Sequence, residues 1–459
     1  MFERFRTIHF VGIGGIGMSG IAEVLHNLGY EVTGSDVKES ETIVRLRSLG
    51  IKVFIGHRPE NIDDAHVVVF SSAVSRDNAE VEEAKEKNIP VIPRAEMLAE
   101  LGRLKYSILV SGSHGKTTTT SLISTMLSHA GYDPTVVIGG KLKAFGSNAR
   151  LGKGDFMVAE ADESDGSLLK LNPTIAVLTN IDKEHMDFFK TMDSLRAAFV
   201  QFINKIPFYG ISVLCIDDNN IRELLPEAQK RPFLTYGFSE DAFLKARNVK
   251  KEGMHTSFDA VLRGDDIGNF KVSLSGSHNV LNSLAAIGVA LSIPVDIEKV
   301  REALYGFEGI QRRLELKGEA NGIRVYDDYG HHPTEIKATL RAARESLDAG
   351  RLLVVFQPHR FTRTKSLFNE FALSFEDADV LFLIDIYPAG ETPIEGVTSV
   401  ALHKKISKKH KSTFYIKDRH EIVEKVCSEI KAGDIVLTLG AGDVWKTGEE
   451  LLKRLKDGN

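Results

Sequence analysis

Val110-Ser111-Gly112-Ser113-His114-Gly115-Lys116-Thr117-Thr118-Thr119-Thr120 follows an apolar run over 106–110 and opens a helical pattern over 117–129. This reads as a phosphate loop. Its glycines let the backbone curl until several N–H groups point at one anion, and the start of the next helix adds its positive dipole end. Lys116, expected to stand exposed at a helix start, supplies a full charge for outer phosphates, and the Thr117 hydroxyl suits a magnesium ion. The longer pattern Gly-x-x-x-x-Gly-Lys-Thr would need glycine at position 110, where this chain has Val110, so only Gly-x-x-Gly-Lys-Thr is present.

Upstream, Ile8-His9-Phe10-Val11 reads as a strand leading into Gly12-Ile13-Gly14-Gly15-Ile16-Gly17, then a helix to Leu28 stopped by Gly29, and a second strand ending in Gly34-Ser35-Asp36. This is a dinucleotide fingerprint. Gly12, Gly14, Gly15 and Gly17 allow close approach to a diphosphate, and Asp36, about 20 positions on, can accept hydrogen bonds from a ribose or a base. The glycines do not distinguish a nicotinamide cofactor from a UDP-sugar. Further strands read at 53–56 and 67–70. The latter ends in Ser71-Ser72, hydroxyls at the carboxyl end of a strand, where open α/β sheets bind ligands.

Downstream of the phosphate loop, a strand over 156–159 runs into Glu160-Ala161-Asp162-Glu163-Ser164-Asp165, and another over 174–178 delivers Thr179-Asn180-Ile181-Asp182 and then His185-Met186-Asp187. Carboxylates and a histidine at strand ends beside a phosphate loop suit the metal ions that accompany a nucleoside triphosphate. A strand follows at 212–216, and the short alternating runs over 245–275 read as antiparallel hairpins. Ser277-His278-Asn279-Val280-Leu281-Asn282 opens a helix whose polar residues serve equally well as caps. From 324 onward strands (324–326, 352–356, 380–384, 414–416, 435–439) alternate with helices (334–344, 364–375). Asp327-Asp328-Tyr329-Gly330-His331-His332-Pro333 and Gln357-Pro358-His359-Arg360-Phe361-Thr362-Arg363 leave the first two of these strands, and their arginines suit a carboxylate. Gly440-Ala441-Gly442-Asp443 follows the last strand as a second anion loop would, but with no lysine or threonine directly after it, it reads rather as a plain turn.

The chain has 459 residues, room for about three domains. The fold expected is α/β: a Rossmann-like N-terminal domain (1–104), a P-loop ATPase-like central domain (105–311) whose parallel sheet carries a small antiparallel part, and a Rossmann-like C-terminal domain (312–459). The net charge of −5 gives no reason to expect nucleic acid, and the basic run over 404–411 fits a solvated helix end. No apolar run approaches the roughly 20 residues of a membrane span. The opening Met1-Phe2-Glu3-Arg4-Phe5-Arg6 lacks a secretory pattern, so a cytoplasmic protein without membrane insertion is expected. Cys215 and Cys427 read as packed thiols.

Together these residues resemble the ATP-dependent Mur ligases of bacterial cell-wall synthesis, most specifically at 112–120, 160–165, 179–187, 327–335 and 357–364. Within that family the last two stretches are similar to the branch that joins L-alanine to UDP-N-acetylmuramate, the neighbouring branch being recycling enzymes that add a preformed tripeptide to the same acceptor. The resemblance implies a UDP-sugar held in the first domain by Gly12, Gly14, Gly15, Gly17, Asp36 and Ser71. It implies ATP in the second, bound by Gly112, Ser113, His114, Gly115, Lys116, Thr117 and Thr118, with Asn279 and Asn282 at the adenosine end. Thr117 and Glu160 would hold one magnesium ion and His185 a second, with Lys116, Glu160 and His185 serving catalysis. Tyr329, His331, His359, Arg360 and Arg363 would form the amino-acid pocket, between the second and third domains. Sister ligases carry a carbamylated lysine after an Arg-Ala-Ala sequence. Here Arg196-Ala197-Ala198 is followed by Phe199, so no carbamate is expected. A monomer or weak homodimer is expected.

The chemistry needs such equipment. An amide forms from a carboxylate only once the carboxylate carries a leaving group, which γ-phosphoryl transfer supplies as an acyl phosphate. Two unit charges about 4 Å apart at an effective dielectric near 20 repel by roughly 4 kcal/mol, about a thousandfold in rate, so cations must bring the anions together. The acyl phosphate must also be kept from water, which implies closure before chemistry. A nicotinamide-dependent oxidoreductase, supported by the first glycine loop and Asp36, leaves Lys116, Glu160 and His185 without work. A P-loop signalling switch leaves the first and last domains unexplained.

Overall fold

Thr7–Val11 (β1) is buried along its whole length, as a strand can be when both faces of a parallel sheet are covered. It pairs in parallel with Glu31–Asp36 (β2) on one side and Val67–Phe70 (β4) on the other. Lys52–Ile55 (β3) and Val91–Pro93 (β5) complete a sheet of order β3-β2-β1-β4-β5. Chain order reverses between β1 and β4, which opens a crevice at their carboxyl ends. The structure, a computed structural model, describes residues 6–71, 73–75, 77–103, 105–142, 147–164, 166–228, 231–253, 255–346 and 350–457. Met1 to Phe5, Ser72, Leu104 and Asp165, all used in the readings above, lie outside the described residues, as does the side chain of Asp187.

The second sheet is built from Tyr106–Ser111 (β6), Thr135–Leu142 (β7), Ser147–Arg150 (β8), Phe156–Glu160 (β9), Ile175–Leu178 (β10), Ile211–Cys215 (β11), Phe233–Gly237 (β12), Leu244–Glu252 (β13), His255–Leu262 (β14) and Asp265–Val272 (β15). Its order is β15-β14-β13-β12-β11-β10-β6-β9-β7-β8. The hairpins expected over 245–275 are β13 to β15. β7 and β8 escaped the sequence reading because Gly139-Gly140 interrupts one and the other is four residues of mostly small or polar type.

The third sheet contains Glu315–Ala320 (β16), Ile323–Asp328 (β17), Leu352–Phe356 (β18), Val380–Leu383 (β19), Thr413–Tyr415 (β20) and Ile435–Leu439 (β21), in the order β16-β17-β21-β18-β19-β20. All neighbours are parallel except β16, which is antiparallel to β17. β21 lies between β17 and β18, so the loops leaving those two strands flank one strand end. The single helix expected over 364–375 is two short ones, Phe361–Ser366 and Phe368–Phe371. Leu367 breaks them at φ −115°, ψ 25° and enters the core beside Phe371 and Phe375; burying that side chain outweighs continuing the helix.

The chain divides into two compact units, one of residues 1–249, 258–272 and 279–308, the other of 250–257, 273–278 and 309–459. Cys215 is buried, Cys427 half-buried, and both are free thiols. Among the described residues no helix is long and apolar enough to cross a membrane.

Candidate active site

β6 lies between β9 and β10, with Val110 opposite Glu160 and Ser111 opposite Leu178. The phosphate loop therefore leaves the sheet with carboxylates on one flank and the 179–185 segment on the other. Gly112 has φ +126°, and a Cβ there would lie 2.3 Å from Thr179 Oγ1; Gly115 has φ +81°, and a Cβ there would lie 2.6 Å from Asn282 Oδ1. Neither position admits a side chain without strain. The segment after β10 straps the loop. Asn180 Oδ1 accepts from the His114 backbone N–H (2.8 Å), and Asn180 Nδ2 donates to His114 O (3.0 Å). Thr179 Oγ1 donates to the same carbonyl at 2.6 Å, the Asp182 N–H donates to Ser113 Oγ at 2.8 Å, and His114 Nε2 stands 3.1 Å from Asp182 Oδ2.

Lys116 opens the helix Lys116–His129, but it is not the exposed lysine expected from sequence. Its side chain is 16% exposed, and Nζ donates to both oxygens of Glu163 at 3.0 Å and to the carbonyls of Gly112 and Ser113. Burial pushes the Glu163 carboxyl up to about 7 although Lys116 opposes it. Burial would lower Lys116, yet the charges of Glu163 and Asp162 hold it above its ordinary value. Glu160 accepts from the Gly139 N–H at 2.7 Å. Burial raises its carboxyl, against the Gly139 N–H, Lys116 and the Thr117 hydroxyl.

His185 is held at φ 56°, ψ 34° before the short helix Met186–Phe189, a backbone region costly for a residue with a side chain. Its Nε2 lies 3.7 Å from Glu163 Oε1 and 3.8 Å from Glu184 Oε2, and the ligand atoms of Glu163, Glu184 and His185 fall within 4.8 Å of one another. The donor sets fit magnesium: carboxylate and hydroxyl oxygens at Glu160 and Thr117, and two carboxylates with one imidazole at the second place. Glu163 and Glu184 were not singled out in the sequence as candidate ligands. Their signal was present, in an acidic run from which only Glu160 was chosen and in the residue just before His185. Phe199 is fully buried in the core.

Asn282 differs from expectation. It is buried, its Oδ1 accepts from Thr119 Oγ1 at 3.1 Å, and its Nδ2 donates to Asn279 Oδ1 at 3.0 Å. It lies under the phosphate loop against Gly115, where an added Cβ would stand 2.6 Å from its Oδ1.

In the first sheet, Gly14 N donates to Asp36 Oδ2 at 2.9 Å. A Cβ on Gly14 would stand 2.8 Å from that oxygen, one on Gly12 3.3 Å from Ser71 Cβ, and one on Gly17 3.0 Å from Arg94 Nη1. Gly15 precedes the helix Ile16–Asn27 with extended backbone. The structure thus brings Gly12, Gly14, Gly15, Gly17, Asp36 and Ser71 to one crevice and adds Arg94, which sequence reasoning missed.

In the third sheet, the rings of Tyr329 and His331 (5.5 Å), His331 and His359 (5.7 Å) and His359 and Tyr387 (5.6 Å, stacked) form a continuous wall. Arg363 Nη1 stands 3.3 Å from His359 Nδ1, and the guanidinium of Arg312 lies 4.9 Å over the Tyr329 ring. Arg360, exposed at φ +70°, donates its N–H to Tyr387 O at 2.9 Å. Burial, then the neighbouring His331, Arg363, Arg360 and Arg312, pushes His359 down to about 3, so it stays neutral among cations. Arg312 and Tyr387 were not singled out in the sequence, because each lies outside the two quoted loops. In the 440–443 segment, Gln357 Nε2 donates to Asp443 Oδ1 at 3.0 Å.

Three family models match the chain in order: the Mur ligase family catalytic domain over 7–106, the Mur ligase middle domain over 110–290, and the Mur ligase glutamate ligase domain over 312–442. The UDP-N-acetylmuramate–L-alanine ligase of Geobacter sp. (strain M21) is 57% identical over 457 residues, covering 99% of each chain. Its counterpart from Geobacter sulfurreducens is 56% identical over 459 residues, 100% of this chain and 99% of the relative. Among solved structures, the UDP-N-acetylmuramate–alanine ligase of Thermotoga maritima superposes with a TM-score of 0.85 at 28% identity, over 99% of this chain and 100% of that one. A murein peptide ligase from Psychrobacter arcticus gives 0.72 at 25% identity, over 98% of each.

Proposed function

The chain belongs to the Mur ligase family, and on that premise we propose that it joins L-alanine to the lactyl carboxylate of UDP-N-acetylmuramate, with conversion of ATP to ADP and phosphate. The observation that carries this reading is the full-length match to relatives of that name at 56 to 57% identity. The loops assigned to the three substrates all fall within the matched ranges. We take 1–104, 105–311 and 312–459 as the UDP-sugar, ATP and amino-acid domains.

The phosphate loop's N–H groups and Lys116 hold the triphosphate. The carboxylate of the UDP-sugar attacks the γ-phosphorus, the bond to the bridging oxygen breaks, and ADP leaves with that electron pair. Lys116 offsets charge gathering between the two anions. Thr117 with Glu160, and Glu163, Glu184 and His185, would hold two magnesium ions, which when bound neutralise phosphate charge. Arg360 and Arg363 hold the carboxylate of alanine while its amine attacks the acyl carbon. The C–N bond forms, the C–O bond breaks, phosphate leaves, and the nitrogen gives up a proton. We take the enzyme to be a monomer or weak homodimer working in the cytoplasm.

The test is phosphate release from ATP, expected only when UDP-N-acetylmuramate and L-alanine are both present. Release with a preformed tripeptide and not with alanine would select the recycling reaction instead. Family membership leaves no place for the nicotinamide-dependent alternative.

A further inference from the structure

At the carboxyl edge of the first sheet, a carboxylate sits in a network that the phosphate chemistry does not use. Glu80 is fully buried. Its Oε1 accepts from the Arg58 backbone N–H (3.2 Å) and from Asn61 Nδ2 (2.5 Å); its Oε2 accepts from the Ser35 hydroxyl (2.5 Å) and stands 3.4 Å from His9 Nε2. Burial alone would raise this carboxyl, but hydrogen bonds from His9, Ser35 and Asn61 bring it down to about 2, so it is an anion that only accepts.

Ser35 has one proton, and it goes to Glu80. Its oxygen must then accept from His57 Nδ1, 2.9 Å away; that nitrogen also stands 3.4 Å from Glu80 Oε2, and both contacts fix His57 as the Nδ1–H tautomer. In the neutral ring Nε2 is left as a lone-pair acceptor, and the ring is 16% exposed.

The glycine loop at the end of β1 suits a diphosphate, and Asp36 at the end of β2 suits a ribose. The order β3-β2-β1 extends that line to the end of β3, where His57 lies just beyond Ile55. The Gly56 N–H donates to Asp36 O at 2.8 Å, tying the two strand ends together. Beyond the ribose of a nucleoside diphosphate comes the base.

We propose that His57 reads the nucleobase, its Nε2 accepting the N3–H of uracil, and that Glu80, acting through Ser35, is the positioning residue that fixes the tautomer. The inference rests on the UDP-sugar reading above and adds base selectivity to it. Cytosine carries a lone pair at N3 and would set acceptor against acceptor, a mismatch that a buried polar contact rejects strongly.

The test is calorimetry on the full chain with UDP and CDP as probes. The wild type should bind UDP at least about tenfold more tightly than CDP. His57→Gln presents both an amide carbonyl acceptor and an amide N–H donor at the same place and should bring the two within about threefold. Glu80→Gln should shift the ratio in the same direction, with the KM for ATP and for L-alanine unchanged in both variants, a split that general destabilisation does not give. Should Glu80→Gln fail to fold, His57→Gln decides alone. A wild-type ratio in His57→Gln, or no discrimination in the wild type, overturns the inference. A wild type that binds neither UDP nor CDP, and releases no phosphate with UDP-N-acetylmuramate, refutes the functional reading as well.

Discussion

Lys116 Nζ stands 3.0 Å from each carboxylate oxygen of Glu163, so the lysine's charge has a partner within its own chain. Removing it should have two separable effects. Lys116→Ala should abolish ligation, by at least about a thousandfold if one close phosphate interaction of roughly 4 kcal/mol is lost. It should also lower Tm, because Glu163 is left buried without its partner. Adding Glu163→Gln should restore Tm without restoring activity. Melting curves and phosphate release on the two variants check this, and Lys116→Ala activity within tenfold of wild type would contradict the assigned role.

Gly115→Ala places a methyl 2.6 Å from Asn282 Oδ1 at φ +81°. The left-handed backbone costs such a residue about 1 to 2 kcal/mol before any clash. The variant should raise the KM for ATP about tenfold or more and leave UDP-sugar affinity unchanged. Combining it with Asn282→Ala should recover part of the loss, since the clash is with that side chain. Steady-state kinetics with each substrate varied in turn, and calorimetry with UDP, would show the split.

The phosphate loop, its flanking strands and the three α/β segments were legible because apolar runs ending in glycines carry local signals. What the loop rests on was not. Lys116 turns inward to an acid 47 positions away, and Asn282 reaches Thr119 across 163 positions; pairings at such separations leave no periodicity to read. Arg312 and Tyr387 join their pocket for the same reason, since sheet order places them beside loops distant in sequence. The break at Leu367 escaped notice because helical spacing persists through it while core burial redirects the chain.

Arg363 lies against His359, which stays neutral, so the positive charge beside that ring comes from arginine. Charge-assisted hydrogen bonds contribute roughly 1.5 to 3 kcal/mol each. Arg363→Ala should raise the KM for L-alanine about 10 to 100-fold, with little change for ATP or the UDP-sugar. A loss spread evenly over all three substrates would mean that Arg363 only supports the fold.

Glu80 makes the first sheet acid-sensitive. Its carboxyl sits at about 2 against an ordinary 4.5. A depressed carboxylate stabilises the folded state fully above the unfolded value and loses that contribution as pH falls through the folded one, here between about pH 4.5 and 2, by roughly 3 kcal/mol. Tm plotted against pH should fall less steeply through that window in Glu80→Gln than in wild type. Parallel acid limbs would show that another group sets the slope.

The strap between His114 and Asn180 is made wholly within the chain, one side-chain amide meeting both the N–H and the carbonyl of one residue. A loop moulded in advance has little ordering left to do, so nucleotide association should proceed without a slow rearrangement of residues 112–115. Their backbone should resist proteolysis about equally with and without nucleotide. The chain then surrenders little conformational entropy at this step, and more of the phosphate contact energy remains available to the transition state.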